Sequence, residues 1–315
     1  MLMIAAKLVI GLIFLYYGAE WLVRGASALG TRLGLTPLLI GLTVVAFGTS
    51  APELAVSLRA AFDGSGAIAF GNVVGSNIAN TGLILGIAAL IRPLSVQAQV
   101  IKIEAPLVLV ASLMLCVLLI NGVLGRLEGA ALFGALVLYL VFSVRAARAE
   151  RNAAVDAEYA DLVAGQARPQ WQYVAMVLVG IGVLVLGANL LVSASVELAR
   201  AFGLREALIG LTIIALGTSL PELATSAVAS FKREGDIAVG NVLGSNLFNI
   251  LAVLGLTALV SPFATGDLAW SDLAVMVAFA LVVLPIVRGF VISRLEGGFL
   301  VASYAAYIGW LVVSA

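Results

Sequence analysis

A stretch of 50 residues occurs twice in this chain of 315 residues, and the duplication limits the folds that it can adopt. Residues 41–90 and 210–259 align without a gap at an offset of 169 residues and share 28 identical positions. The best-matched positions are the polar ones, as in the common runs GTSxPELA and GNVxGSN. A duplication kept only for packing would let these positions drift towards apolar residues. The repeat therefore indicates a shared polar site as well as a shared fold.

Apolar runs long enough to cross a bilayer occupy most of the chain. A membrane-spanning helix needs about 20 mainly apolar residues, and 63% of the residues are hydrophobic while only 11% are charged. This composition excludes a water-soluble enzyme, and 17 basic against 17 acidic residues leave no basic face for nucleic acid. The lipid bilayer is the expected partner. We predict ten spans, at residues 2–26, 36–61, 67–91, 100–120, 126–147, 171–200, 206–231, 237–260, 269–288 and 295–314.

The similarity extends weakly beyond the 50 residues, since Gly18-Ala19 matches Gly187-Ala188 and the run RLEG at 126–129 recurs at 294–297. Each repeated unit therefore carries five of these spans, and five is an odd number. The second copy therefore enters the membrane upside down relative to the first, an architecture found in many secondary transporters. We predict an all-α polytopic membrane protein made of two inverted five-helix repeats. The expected boundaries are residues 1–147 and 171–315 for the repeats and 148–170 for a polar cytoplasmic linker.

Positive charge predicts the orientation, since loops rich in Lys and Arg remain in the cytoplasm. The loops after the odd-numbered spans, with the adjoining helix ends, hold twelve of the 17 Lys and Arg residues. We therefore expect a multi-pass protein of the cell (inner) membrane with both termini outside.

A proline interrupts the second span of each copy within the motif GTSxPE, at Pro52 and Pro221. Proline frees the carbonyl four residues earlier, and free carbonyls at membrane depth are tolerated only where they line a cavity or meet a ligand. The motif also places Glu53 and Glu222 near the middle of their spans, where a charge costs at least about 2.5 kcal/mol. Because no Lys or Arg lies at a matching depth, we expect a bound cation or a proton to neutralise these carboxyl groups.

The third span of each copy adds polar side chains at a spacing of four residues, which places them on one helix face. They are Asn72, Ser76 and Asn80 in the first copy and Asn241, Ser245 and Asn249 in the second. The broken spans contribute the hydroxyls of Thr49, Ser50, Thr218 and Ser219. Histidine is absent and the single cysteine, Cys116, lies in an apolar run, so the ligands are oxygens. Such sites suit hard cations, Ca²⁺ among them, and we predict a transporter with no cofactor and no enzymatic activity.

The paired motifs resemble the α-repeats of the sodium/calcium exchanger family, within the calcium/cation antiporter superfamily. The resemblance rests on both copies of GTSxPE and GNVxGSNxxN, and it extends over the ten-span layout. It implies a secondary active antiporter that exchanges Na⁺ for Ca²⁺ by alternating access, with the first and sixth spans sliding past the other helices. It also implies four ion sites between the repeats.

The same resemblance assigns roles to individual residues. Glu53 and Glu222 would be ligands shared by Ca²⁺ and Na⁺. One flanking Na⁺ site would comprise Thr49, Ser76 and the carbonyl of Ala46, and the other Thr218, Ser245 and the carbonyl of Ala215. Ser50, Ser219, Asn80 and Asn249 would complete the centre. Several relatives, including potassium-dependent ones, carry Asp at the position of Asn249, so two central carboxylates and no K⁺ co-transport are expected here.

Other functions stay open at the level of sequence. A proton/Ca²⁺ antiporter, or an exchanger of another divalent cation such as Mn²⁺, could use the same pair of glutamates. A cation channel is disfavoured because channels usually need a ring contributed by several subunits, whereas one chain here supplies a two-fold set and is expected to function as a monomer. An intramembrane protease is disfavoured because every Asp falls in a loop or near a helix end.

Overall fold

The computed structural model describes residues 2–33, 35–149, 169–202, 215–264 and 270–314, and nearly all of them are helical. The first half contains helices α1 (Leu2–Leu33), α2 (Pro37–Thr49), α3 (Ala51–Phe62), α4 (Gly66–Ile91), α5 (Val100–Leu118) and α6 (Arg126–Ala149). The second half contains α7 (Gln170–Ala201), α8 (Ala215–Gly217), α9 (Leu220–Phe231), α10 (Gly235–Val260), α11 (Trp270–Val287) and α12 (Arg294–Ser314).

The described helices confirm the predicted membrane protein. Eight of them are long and apolar enough to cross a bilayer, and the bent pair α2 and α3 makes a ninth span. The remaining predicted run, 206–231, begins outside the described residues, as does most of the predicted linker 148–170. α1 continues to Leu33, past the predicted end at residue 26, because a helix can extend beyond the hydrocarbon layer into the polar interface.

α1 and α7 lie antiparallel along each other, which confirms the inverted relation of the two halves. Glycines permit a close approach of the two backbones. A Cβ atom added at Gly18 would meet the carbonyl oxygen of Gly180 at 2.9 Å, and one added at Gly11 would meet that of Gly187 at 3.1 Å. The residue numbers of the contacts decrease along α7 as they increase along α1, so the helices run in opposite directions. A second repeat in the same orientation would have made them parallel.

Two short strand pairs, which were not predicted, join loops of the first half to loops of the second. β1 (Leu94–Ser95) pairs antiparallel with β4 (Val291–Ile292), and β2 (Val123–Leu124) pairs in the same way with β3 (Phe263–Ala264). The repeat relates one pair to the other. Strands of two residues are too short to show the alternation of apolar and polar residues by which a strand is recognised in a sequence.

α4 and α10 lie at the centre of the molecule. α10 is buried at every position from Ile237 to Leu254 and packs against α2 of the other half. A Cβ atom added at Gly240 or Gly244 would meet the carbonyl oxygen of Leu38 or Leu42 at 2.7 Å. This close approach sets the polar residues of α10 against the broken helix of the opposite half.

Candidate ion-binding site

Both copies of the GTSxPE motif interrupt their helix at the same place. In the first half α2 ends at Thr49, Ser50 has φ −81° and ψ 3°, and α3 leaves at an angle of 43°. In the second half α9 follows Ser219, whose φ of −88° and ψ of 5° are nearly the same. Pro52 and Pro221 lie in the first turn of the following helix, where the missing amide donor would have had no helical partner. The two predicted breaks are confirmed.

Glu53 and Glu222 occupy the first turns of α3 and α9, and both residues are 0% exposed. The two carboxyl groups are close enough across the interface between the halves for their negative charges to interact. Among the described residues, neither forms an ion pair with Lys or Arg. A helix N-terminus favours a nearby negative charge, but it does not offset the burial of two carboxylates. A bound cation or a proton is needed to neutralise them.

The broken helix of the first half faces the polar helix of the second. The Thr49 hydroxyl donates to Oδ1 of Asn241 at 3.2 Å, and its oxygen lies 3.5 Å from Oγ of Ser245. Ser50 Oγ donates across the same interface to Oε1 of Glu222 at 3.3 Å. The first half thus supplies hydroxyl groups to the carboxylate of the second.

The reciprocal contacts join the second broken helix to the first half. The Thr218 hydroxyl donates to Oδ1 of Asn72 at 3.2 Å, and Ser219 Oγ donates to Oγ of Ser76 at the same distance. These contacts join each broken helix to the other half, and the expected ion-ligand grouping of Thr49 with Ser76 and of Thr218 with Ser245 stays a prediction. The physical reason for the contacts is the packing: α2 lies against α10 and α8 lies against α4, so each broken helix meets the polar helix of the other copy.

Asn72 and Asn241 also hold the broken helix of their own half. Nδ2 of Asn72 donates to the backbone carbonyl of Glu53 at 3.2 Å and to Ser57 Oγ at 3.1 Å. In the second copy Nδ2 of Asn241 donates to the carbonyl of Glu222 at 3.4 Å and to a serine at 2.9 Å. Each asparagine therefore connects a glutamate of one half to a threonine of the other.

Five of the buried side-chain oxygen atoms that have no hydrogen-bond partner among the described residues belong to the predicted ion ligands. They are both carboxylate oxygens of Glu53, Oε2 of Glu222, and Oδ1 of Asn80 and Asn249. All four residues are fully buried and two come from each half. Buried polar atoms nearly always have a partner in folded proteins, so this group of oxygens fits a cation held between the halves.

Asn80 and Asn249 belong to π-helical turns, at Asn80–Ile84 in α4 and Phe248–Leu254 in α10. Such turns are rare inside α-helices and frequently occur at functional sites. These turns were not predicted, because apolar periodicity carries no sign of one widened turn. Asn77 and Asn246, which are buried beside this centre, were not predicted either. Their identity in both copies was the signal that could have found them.

The predicted carbonyl ligands lie just before each break. Ala46 is buried, and its carbonyl accepts a hydrogen bond from the Ser50 amide at 3.0 Å and lies 3.3 Å from the hydroxyl oxygen of Thr49. Ala215 is the first residue of α8. The role of these two carbonyls stays a prediction.

The chemistry of the site is that of oxygen ligands. Within the described ranges, no three side chains of His, Cys, Asp or Glu come together, so the centre combines two carboxylates with amide and hydroxyl oxygens. Ligands of this kind suit Ca²⁺ and other hard cations, whereas softer metals favour nitrogen and sulfur.

Comparison with known proteins points to the same chemistry. The family model described as sodium/calcium exchanger protein matches residues 3–145 and 172–313. The chain is 40% identical to CaxA of Alkalimonas amylolytica, named as a candidate antiporter, over 98% of both proteins. It is 41% identical to the inner membrane protein YrbG of Escherichia coli (strain K12), over 90% of this chain and 88% of that protein.

The fold is similar to a solved structure of an exchanger. The sodium-calcium exchanger NCX_Mj, soaked with 10 mM Na⁺ and zero Ca²⁺, superposes with a TM-score of 0.85 at 29% sequence identity. The similarity covers 98% of both chains.

Proposed function

Because the chain belongs to the sodium/calcium exchanger protein family, we propose that it is a secondary active antiporter that exchanges Na⁺ for Ca²⁺ across the membrane. The observation that carries the proposal is the group of five unpartnered, buried oxygen atoms on Glu53, Glu222, Asn80 and Asn249. Both halves contribute to this group. A bound ion therefore contacts both repeats and couples to their relative movement.

The charge of the site supports exchange of one kind of cation for another. Two carboxylates neutralise one divalent ion, or two monovalent ions, without leaving a net charge at membrane depth. Ca²⁺ usually takes about six to eight oxygen ligands. The five oxygens and the nearby hydroxyls of Ser50 and Ser219 come close to that number. Na⁺ and Ca²⁺ then compete for Glu53 and Glu222, which prevents their simultaneous transport.

Hydroxyl pairs on either side of the carboxylates are the proposed flanking Na⁺ positions. One pair is Thr49 with Ser245, and the other is Ser219 with Ser76, next to Thr218. The carbonyls of Ala46 and Ala215 are the proposed backbone ligands of these positions. Neutral oxygens suit a monovalent hard cation.

Proton/Ca²⁺ exchange is the second candidate function. The observation that favours it is the full burial of the Glu53 and Glu222 carboxyl groups without an ion pair among the described residues, since a buried carboxyl group can take up a proton. The hydroxyl pairs favour Na⁺, because a transported proton needs no flanking oxygen ligands.

The arrangement in the membrane completes the proposal. We assign residues 1–147 and 171–315 to the two repeats and 148–170 to a cytoplasmic linker, with both termini outside, from the distribution of Lys and Arg. The similarity to the inner membrane protein YrbG supports the same location for this chain. One chain supplies ligands from both repeats, so a monomer is the proposed functional unit.

The test is uptake of ⁴⁵Ca²⁺ into proteoliposomes loaded with Na⁺, compared with vesicles loaded with K⁺, with choline or with an acid interior. We expect uptake only with internal Na⁺. Glu53→Gln and Glu222→Gln should abolish it, because each removes a charged ligand. Glu104→Gln is the matched control: Glu104 is as deeply buried, but its carboxylate accepts hydrogen bonds from Tyr139 and Gln99 away from the site.

Other outcomes distinguish the alternatives. Uptake that an acid interior drives equally well without Na⁺ would replace Na⁺ by H⁺ as the coupling ion. Uptake of Mn²⁺ in preference to Ca²⁺ would change the substrate and keep the site. Exchange that survives both glutamate substitutions would contradict the proposed site.

A further inference from the structure

We propose that Asn77 is a positioning residue that turns the amide of Asn249 so that its oxygen, and not its nitrogen, faces the bound cation. This rests on the proposed function, since it takes Asn249 as an ion ligand. Asn77 lies in α4 and is buried, and Asn249 lies in the π-helical turn of α10. The two side chains meet across the interface between the halves.

A backbone carbonyl fixes the orientation of the Asn77 amide. Its Nδ2 lies 3.4 Å from the carbonyl oxygen of Asn246 and 3.7 Å from Sδ of Met276, and both of these atoms can only accept hydrogen bonds. The amide nitrogen of Asn77 therefore points towards them, and Oδ1 points the other way. Nδ2 of Asn249 donates to this Oδ1 at 3.2 Å. The oxygen of Asn249 consequently points away from Asn77, and it is one of the five unpartnered oxygens of the site.

An amide ligand needs this selection because its two ends are alike in shape and opposite in polarity. The oxygen attracts a cation, whereas the NH₂ group carries only donors and repels it. Hydrogen bonds from neighbouring groups commonly orient metal ligands, and their loss lowers metal affinity by about 10- to 100-fold. A carboxylate, by contrast, presents an oxygen in either orientation.

The equivalent residues of the other half lack this orienting hydrogen bond. Asn246 and Asn80 are the repeat partners of Asn77 and Asn249. Nδ2 of Asn246 donates to Thr81 Oγ1 at 2.8 Å, a partner that Asn77 lacks because isoleucine stands at the equivalent position of α10. Oδ1 of Asn246 and both polar atoms of the Asn80 amide have no partner among the described residues. In this structure Asn249 is therefore the oriented ligand of the two.

The test is a double-mutant cycle, with the apparent KM for Ca²⁺ and the maximal rate of exchange as readouts in proteoliposomes. Asn77→Ala is introduced into the wild-type protein and into Asn249→Asp. In the wild-type background we expect the KM to rise about tenfold or more, with a smaller change in maximal rate. In the Asn249→Asp background we expect a change below about twofold, because a carboxylate needs no selection of its ends.

Asn77→Ser in both backgrounds keeps the proposal testable if Asn77→Ala does not fold. A hydroxyl both donates and accepts, so it cannot select one end of the Asn249 amide. Equal penalties in the two backgrounds would show that Asn77 acts through packing alone and would overturn the proposal. An unchanged KM in the wild-type background would overturn it as well.

Asn249→Ala separates this proposal from the proposed function. A raised KM in Asn249→Ala with an unchanged KM in Asn77→Ala would refute only the positioning role. An unchanged KM in Asn249→Ala would show that Asn249 is not a ligand, and the positioning role would fall with that assignment.

Discussion

The helix that follows the break is buried under a neighbouring helix in the second half, as α9, and is exposed in the first half, as α3. α1 packs along α9, and Thr225 at the middle of α9 is 0% exposed. Its repeat partner in α3 is Val56, which is 39% exposed and lies in a shallow depression of the surface. Within the described residues, α7 makes no comparable contact with α3. Two repeated segments, α3 and α9, thus have different surroundings although they share seven of twelve residues.

The polar residues of the candidate site show the same difference. Thr218 and Asn72 are half-buried on one flank, whereas Thr49 and Asn241 are buried on the other. The candidate site is therefore less buried on the flank of Thr218 than on the flank of Thr49. Because the repeats are inverted, an exchange of their surroundings would bury the first flank and expose the second, which is the movement that alternating access requires.

Cysteine labelling is the largest expected difference between the halves. Val56→Cys and Thr225→Cys are made in a Cys116→Ala background, which removes the natural thiol. A hydrophilic thiol reagent should label position 56 about 100-fold faster or more in detergent without Ca²⁺, because a buried thiol reacts only through local opening. Equal labelling rates would contradict the difference in burial between positions 56 and 225.

The carboxylate–tyrosine pairs should differ less. The Tyr139 hydroxyl donates to Oε2 of the buried Glu104 at 2.7 Å, and the Tyr307 hydroxyl donates to Oδ1 of the half-buried Asp272 at 3.0 Å. Tyr139→Phe leaves a buried carboxylate oxygen without its donor and should lower the free energy of unfolding by about 1–3 kcal/mol. Water can replace the lost donor at Asp272, so Tyr307→Phe should cost about 1 kcal/mol or less.

Thermal unfolding in detergent, with each variant compared to the wild-type chain, measures both effects. A larger loss in Tyr307→Phe than in Tyr139→Phe would contradict the difference in burial between the two carboxylates.

An ion pair at one end only gives the smallest expected effect. Lys232, just after α9, binds Glu20 of α1 at 2.8 Å, whereas the repeat partners of these residues are Asp63 and Asn189, which cannot form an ion pair. Lys232→Gln should therefore weaken the packing of α1 on α9. Labelling of Thr225→Cys should rise and that of Val56→Cys should fall, by up to about fivefold for a pair worth about 1 kcal/mol.

Lys7→Gln is the matched control for this ion pair. Lys7 binds Glu197 and joins α1 to α7, the two helices that pack on each other, so its loss should leave both labelling rates unchanged. The same change in both variants would attribute the effect to lost charge rather than to the contact between α1 and α9.

The sequence predicted the features that follow from the chain's own chemistry. Hydropathy located the spans, an odd number of spans per repeat required the inversion, and proline located the breaks. The burial of Glu53 and Glu222 followed from their depth in those spans. These features depend on each helix alone or on the odd number of spans in each repeat. They can therefore be predicted without knowing how the helices pack together.

Contacts between the halves could not be predicted in the same way. Thr49 lies beside Ser245 because α2 packs on α10, and the repeat alone is equally compatible with Ser76. Position 56 and position 225 have similar neighbours in sequence, so only the place of α1 decides which is covered. One contact that was not predicted did have a signal in the sequence. The run RLEG at 126–129 recurs at 294–297, an offset of 168 residues, and the same offset relates Glu104 and Tyr139 to Asp272 and Tyr307.

Anomalous diffraction from crystals soaked in Sr²⁺, a heavier analogue of Ca²⁺, tests whether the unpartnered oxygens between the halves hold the transported divalent cation. We expect a peak between the carboxylates of Glu53 and Glu222, within reach of Asn80 and Asn249, that disappears in Glu53→Gln. Sr²⁺ bound only elsewhere, or a peak that Glu53→Gln leaves unchanged, would contradict this role of the oxygens.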